Sequence, residues 1–148
     1  MEGRVSRKIL LGYDESQSAK SAMAFAISLA KSEGAEVVVA HVLEWSPYSF
    51  LTPEELEERH KRRKEEIHRG ETALLGPVKE EISKSGIAVS TVLKYGHVVE
   101  TLCDIIEETG ASQVVIGRTG HSSLSARLFG SVAGSLAQAS PVPVTIVP

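Results

Sequence analysis

The chain has 148 residues, of which 42% are hydrophobic and 24% charged, and its formal net charge is −3. This length suits one domain over residues 1–148 with its own core, and the composition excludes a largely disordered chain. No apolar run approaches the ~20 residues of a membrane span, and the negative charge provides no general attraction for nucleic acid.

The sequence shows neither a signal peptide nor a pair of cysteines that could form a disulfide. Residues 1–8 lack the apolar stretch of a signal peptide, and the single cysteine, Cys103, cannot form an internal disulfide. We therefore expect a cytoplasmic protein without a membrane or nucleic-acid partner.

Five short runs rich in Val and Ile, bounded by Gly, Ser or Pro, predict β-strands. In chain order they are Lys8–Tyr13, Glu36–Leu43, Ala88–Leu93, Gln113–Gly117 and Val142–Val147. The second and fourth runs are almost wholly apolar, which is typical of parallel strands covered by helices on both faces.

The stretches between these strands have helical spacing. One amphipathic pattern ends at Gly34 and another at Gly110, both stop signals, and Ser131–Ala139 predicts a last short helix. A longer helical region begins at Thr52-Pro53, and we expect a bend or break at Gly70 and Gly76-Pro77.

The alternation of strand and helix predicts an α/β fold. It should be an open, parallel, five-stranded sheet with right-handed crossovers and helices on both faces, Rossmann-like, with strand order 3-2-1-4-5. In such sheets ligands bind at the carboxyl ends of the strands, where the strand order reverses.

The connection after the fourth strand, residues 118–129, is longer than most strand–helix connections and suits an anion. Gly117, Gly120 and Gly130 permit close approach of the backbone, and Ser131 opens a helix whose first amide groups are unpaired. Three side chains add positive charge there: Arg118, His121 and Arg127. Neither a G-x-x-x-x-G-K-S/T loop nor a G-x-G-x-x-G after the first strand is present, which argues against Walker-type ATPases and standard dinucleotide enzymes.

Gly117-x2-Gly120-x9-Gly130-Ser131 resembles the Gly-2X-Gly-9X-Gly-Ser/Thr motif of ATP-binding universal stress proteins. The resemblance extends over nearly the whole chain, through KILLGYDES, AHV, QVVIGRTGHSSL, GSVA and PVPVTIV. It implies a regulatory module that binds an adenine nucleotide, ATP with ADP or AMP as alternatives, together with Mg²⁺.

The resemblance also implies roles for individual residues. Asp14 matches an aspartate beside the adenosine, and Val42 matches a position whose backbone contacts adenine. The ribose and phosphates are expected at Gly117, Arg118 and Gly120, and the terminal phosphates at Gly130, Ser131 and Val132.

Two positions depart from the family pattern. Glu15 replaces a common glycine and brings an extra carboxylate, and Ala133 replaces a frequent hydroxyl residue, which favours ADP or AMP relative to ATP.

Several residues also have simpler interpretations. Asp14 suits the start of a helix, Cys103 suits core packing, and the charged run Glu54–Glu66 suits a solvated helix face. The aromatic residues of segment 45–50 suit either packing on their own domain or a flap over the base.

The last strand is expected at an edge of the sheet, and the resemblance implies a homodimer through Val142–Val147. The main hypothesis is thus a nucleotide-binding module that does not act primarily as a catalyst. Two alternatives stay open: a slow ATP hydrolase or phosphotransferase using Asp14 or Glu15, and a dimerising scaffold that binds no nucleotide.

Overall fold

The computed structural model describes residues 7–44, 52–119 and 131–148. Its strands are β1 (Lys8–Gly12), β2 (Glu36–Glu44), β3 (Val89–Gly96), β4 (Gln113–Gly117) and β5 (Val144–Val147). Its helices are α1 (Gln17–Glu33), α2 (Pro53–Arg69), α3 (Gly76–Lys84), α4 (Val98–Thr109) and α5 (Ser131–Ala139). A π-helical segment, Gly70–Leu75, joins α2 to α3.

All five strands are parallel, in the order β3-β2-β1-β4-β5, so the predicted fold and strand order are confirmed. The strand boundaries differ slightly from the prediction. β3 continues through Lys94 and Tyr95 although the apolar run has ended, and β5 begins only at Val144 because Pro141 and Pro143 have no amide hydrogen to donate.

Alternate side chains of the strands enter two hydrophobic cores, one on each face of the sheet. On one face, Leu11 and Val39 pack with the alanines of α1 and with Leu75 and Ile82 of the segment that precedes β3. On the other face, Leu10 and Val38 pack against α4 and α5. We call these the α1 face and the α4 face.

The helix signals in the sequence are confirmed. Thr52 caps α2 through its side chain, and Gly34 and Gly110 end α1 and α4 in the left-handed conformation. The predicted break at Gly70 is the start of the π-helical segment, where a Cβ atom would lie 3.2 Å from Leu93. None of the residues of α2 is buried, so its charged run is a solvated surface, and no helix in the described ranges has the length and apolarity to cross a membrane.

Candidate functional site

A cavity of about 400 Å³ opens at the carboxyl edge of the sheet. It lies where the strand order reverses, because the chain leaves β1 for a helix on the α1 face and leaves β4 for a helix on the α4 face. The described residues that line it are Gly12, Tyr13, Asp14, Ala40, His41, Val42, Glu44, Val98, Leu102, Ile116, Gly117, Arg118, Thr119, Ser131, Val132 and Ala133.

The turn from β1 into α1 places Asp14 in the cavity wall. Its Oδ1 accepts a hydrogen bond from the Ser16 amide at 3.0 Å, and Ser16 in turn caps α1 by accepting the Ala19 amide. Asp14 thus supports the start of the helix without being its cap residue. Between them Glu15 has a φ of +66°, a left-handed conformation that glycine adopts more easily than glutamate.

Ser16, which caps α1, and Ser18 in its first turn hold the beginning of the connection that follows β4. The Ser18 hydroxyl donates to the Thr119 carbonyl at 2.7 Å and accepts the Thr119 amide at 3.1 Å, and Ser16 also donates to that carbonyl. Both serines are buried. Arg118, between Gly117 and Thr119, donates its amide to Val147 of β5.

Gly117 has a structural reason for lacking a side chain. A Cβ atom there would lie 2.5 Å from Ser18 Oγ, 2.7 Å from the Ser18 carbonyl carbon and 2.8 Å from the Ala19 amide nitrogen. Sequence reasoning attributed this glycine to close approach of a ligand, which stays a prediction, and the structure adds a second reason, because the absent side chain makes room for α1. The end of strand β4 and the first turn of helix α1 can therefore pack closely together at the edge of the cavity.

β2 extends past the end of β1 and supplies backbone groups to the cavity. The pairing of the two strands ends at Gly12 and Ala40, while β2 continues to Glu44 beside β3. The Ala40 carbonyl points toward β1, where it accepts the Tyr13 amide at 2.9 Å. Because backbone directions alternate along a strand, the amide and carbonyl of Val42 point to the same side, beyond the end of β1.

The start of helix α5 also lines the cavity. Ser131 and Val132 lie in its first turn, where the amide groups have no partner within the helix, and Ala133 is 1% exposed. The buried Ala133 lines the cavity and also belongs to the core of the α4 face, and it offers no hydroxyl group to a ligand.

The charged groups of the described lining are two carboxylates, Asp14 and Glu44, and one guanidinium, Arg118. With two negative groups and one positive group, the lining does not by itself neutralise the charges of several phosphates, so their binding would need an additional cation. Burial raises the pKa of the Tyr13 hydroxyl, and the charges of Glu15 and Asp14 raise it further, so this phenol stays neutral.

The structure brings six of the eight predicted ligand-binding residues to one cavity: Asp14, Val42, Gly117, Arg118, Ser131 and Val132. Gly120 and Gly130 lie outside the described residues, as do His121, Arg127 and the aromatic segment 45–50.

Sequence reasoning missed the contributions of His41, Glu44, Ser16, Ser18 and Thr119 to the site. His41 was interpreted only as a strand residue; it is one, and its Nδ1 lies 2.7 Å from the Tyr13 carbonyl oxygen. For Glu44 a signal existed, because the second residue after Val42 on a strand lies on the same face.

Comparison with known proteins identifies the family. The Universal stress protein family model matches residues 6–148. The chain is 28% identical to universal stress protein YxiE of Bacillus subtilis over 95% of this chain and 97% of the relative. It is 31% identical to a universal stress protein of Methanocaldococcus jannaschii over 95% of this chain and 81% of the relative.

Solved structures share the fold. Universal stress protein UspA from Lactobacillus plantarum superposes with a TM-score of 0.83 at 21% identity, over 99% of this chain and all of that chain. A universal stress protein in complex with cAMP has a TM-score of 0.68 at 22% identity, with 96% of each chain covered. One from Archaeoglobus fulgidus in complex with dAMP has a TM-score of 0.65 at 21% identity, over 97% of this chain and 98% of that chain. The chain belongs to the universal stress protein family.

Proposed function

We propose that this universal stress protein binds an adenine nucleotide in the cavity at the carboxyl edge of its sheet. The observation that carries the proposal is the convergence of three distant parts of the chain on one cavity: Asp14 after β1, Val42 near the end of β2, and Ser131 at the start of α5. A volume of about 400 Å³ falls within the usual range for small-molecule sites. The fold relatives bound to cAMP and dAMP support an adenine ligand.

The base lies against β2 in this proposal. The Val42 amide and carbonyl both point beyond the end of β1, which provides one donor and one acceptor for the edge of a purine. Apolar side chains of Val98, Leu102 and Ile116 line the same cavity and suit the flat faces of a base.

The phosphates lie toward Arg118 and the first turn of α5. Unpaired amide groups and the positive end of the helix dipole favour an anion there. Mg²⁺ fits a triphosphate at this site because Asp14 and Glu44 leave the lining short of positive charge, and Mg²⁺ is commonly held by phosphates with only one or two carboxylates. We therefore propose ATP with Mg²⁺ as a ligand, with ADP and AMP competing because Ala133 offers no hydroxyl group.

Calorimetric titration with ATP, ADP and AMP in magnesium buffer tests the proposal. Saturable heat with at least one of the three is expected, and GTP serves as the comparison. Absence of heat with all three refutes nucleotide binding and leaves the dimerising scaffold as the function.

The homodimer is proposed through the exposed edge of β5. Among the described residues only β4 pairs with this strand, and its four residues are half-buried. An unpaired strand edge readily accepts a second strand. Sedimentation at micromolar concentration should give the dimer mass, and the monomer mass alone would contradict it.

Slow ATP hydrolysis is the second candidate, and the carboxylate of Asp14 in the cavity wall favours it. Turnover by the purified protein that disappears in Asp14→Asn supports this activity. Turnover unchanged by the substitution indicates a contaminating enzyme.

A further inference from the structure

The hydrogen bond between the His41 side chain and Tyr13 lies where the ladder between β1 and β2 stops. In a parallel pair of strands, the amide of one residue donates to a carbonyl of the neighbouring strand. The carbonyl of that same residue then accepts from the amide that lies two positions after this partner on the neighbouring strand. Tyr13 makes the first bond, to the Ala40 carbonyl at 2.9 Å. The second would join the Tyr13 carbonyl to the Val42 amide, and this bond is not formed.

The imidazole of His41 takes the place of that amide. Its Nδ1 lies 2.7 Å from the Tyr13 carbonyl oxygen. Because a carbonyl oxygen can only accept, Nδ1 carries the hydrogen and donates it. His41 and Val42 are consecutive in β2, so their side chains lie on opposite faces: His41 on the α1 face and Val42 on the α4 face, among the residues packed against that core.

We infer that His41 is a positioning residue that satisfies the Tyr13 carbonyl and so keeps the Val42 amide free for the base. The inference rests on the proposed function, since it needs a nucleotide in the cavity. The freed amide donates while the carbonyl of the same residue accepts. This pair matches the edge of adenine that carries the ring acceptor N1 and the exocyclic amino group.

The same pair discriminates against hypoxanthine. That base has a ring N–H and a carbonyl oxygen at the corresponding positions, so it presents a donor to the amide and an acceptor to the carbonyl. AMP and IMP differ only at these positions and carry the same phosphate. Their relative affinity therefore measures the contact with β2 separately from the contact with α5.

His41→Leu removes the donor and keeps a side chain of comparable length. Without the imidazole, the Val42 amide is expected to complete the ladder with Tyr13. The affinity for AMP then falls about tenfold, the equivalent of one net hydrogen bond, while the weaker affinity for IMP stays the same. His41→Asn places an amide nitrogen at the position of Nδ1 and should retain the preference for AMP.

His60→Leu is the matched control, because His60 is exposed on α2 and is not among the residues that line the cavity. It should bind AMP and IMP as the wild type does. If His41→Leu does not fold, His41→Gln replaces it in the test. The amide nitrogen of glutamine lies one bond further from the backbone and matches Nε2, so this variant also has no donor at the position of Nδ1.

Hydrogen exchange of the Val42 amide, followed by NMR in nucleotide-free protein, supplies a readout independent of binding. Exchange should be fast in the wild type and in His41→Asn, and slower by about tenfold or more in His41→Leu, where the amide is paired. A protected Val42 amide in the wild type, or a His41→Leu variant that keeps both the fast exchange and the preference for AMP, overturns the inference. Failure of wild-type protein to bind ATP, ADP and AMP alike refutes the proposed function instead, while fast wild-type exchange still supports the release of the amide by His41.

Discussion

Replacing Gly117 with alanine should separate β4 from α1 and weaken nucleotide binding. The new Cβ atom would lie 2.5 Å from Ser18 Oγ, 2.7 Å from the Ser18 carbonyl carbon and 2.8 Å from the Ala19 amide nitrogen. Rotation of the serine side chain relieves only the first contact, because the other two atoms belong to the backbone. The backbone must therefore retreat by roughly 0.7 Å or more to restore ordinary contact.

The size of the effect follows from two contributions. Overpacking of this kind costs about 1–3 kcal/mol, and each Ser18–Thr119 hydrogen bond that is lost costs about 0.5–1.5 kcal/mol more. A total of about 2–4 kcal/mol lowers Tm by roughly 5–12 °C for a chain of this length. Because Thr119 is the second residue of the connection between β4 and α5 and lines the cavity, the affinity for AMP should fall by about tenfold or more.

Thermal unfolding and calorimetric titration with AMP measure these two effects. Gly110→Ala is the matched control: Gly110 has a φ of +72°, and apart from its chain neighbours nothing lies within 4 Å of the position that a Cβ atom would occupy. Its substitution should cost about 1–2 kcal/mol through backbone strain and leave AMP affinity unchanged. Wild-type Tm and wild-type affinity in Gly117→Ala would refute the packing explanation of this glycine.

Three further predictions follow from individual residues. Glu15→Gly relieves the strained φ of +66° and should raise the free energy of unfolding by about 1 kcal/mol, measured by thermal unfolding. Glu15→Gln keeps the strain and should leave Tm unchanged. Equal Tm values for the two variants would contradict this prediction. Ala133→Ser adds a hydroxyl to a residue of the cavity lining and should increase the affinity ratio of ATP to AMP in calorimetry, an unchanged ratio being the contrary result. Burial raises the pKa of the Cys103 thiol, with smaller contributions from the charges of Asp104 and Glu107. Because less thiolate then forms at neutral pH, iodoacetamide should label Cys103 more slowly in the folded protein than in the unfolded chain. Equal labelling rates would contradict this prediction.

Much of the fold could be predicted because its signals are local. Thr52-Pro53 starts α2, glycines end α1 and α4, and the apolar runs identify the strands. The strand ends were less accurate, since Lys94 and Tyr95 of β3 are polar residues on an edge strand whose pairing with Val42 and Leu43 is not visible in hydrophobicity.

The candidate site depends on features that arise only from tertiary contacts. The role of His41 follows from the register between β1 and β2, which determines that Tyr13 lies beyond the last paired residue. The need for glycine at position 117 comes from α1, and Ser18 meets Thr119 across a hundred residues of sequence. Such contacts between residues far apart in the sequence cannot be predicted from composition or motif spacing.

The most direct test of the site is an NMR titration of the protein with ATP and Mg²⁺, in which every assigned backbone amide is followed. The largest shifts should occur at Val42, at Arg118 and Thr119, and at Ser131 and Val132, while the amides of the solvated helix α2 stay in place. Saturable shifts confined to α2, or saturation without change at Val42 and Ser131, would contradict a nucleotide site between β2 and α5.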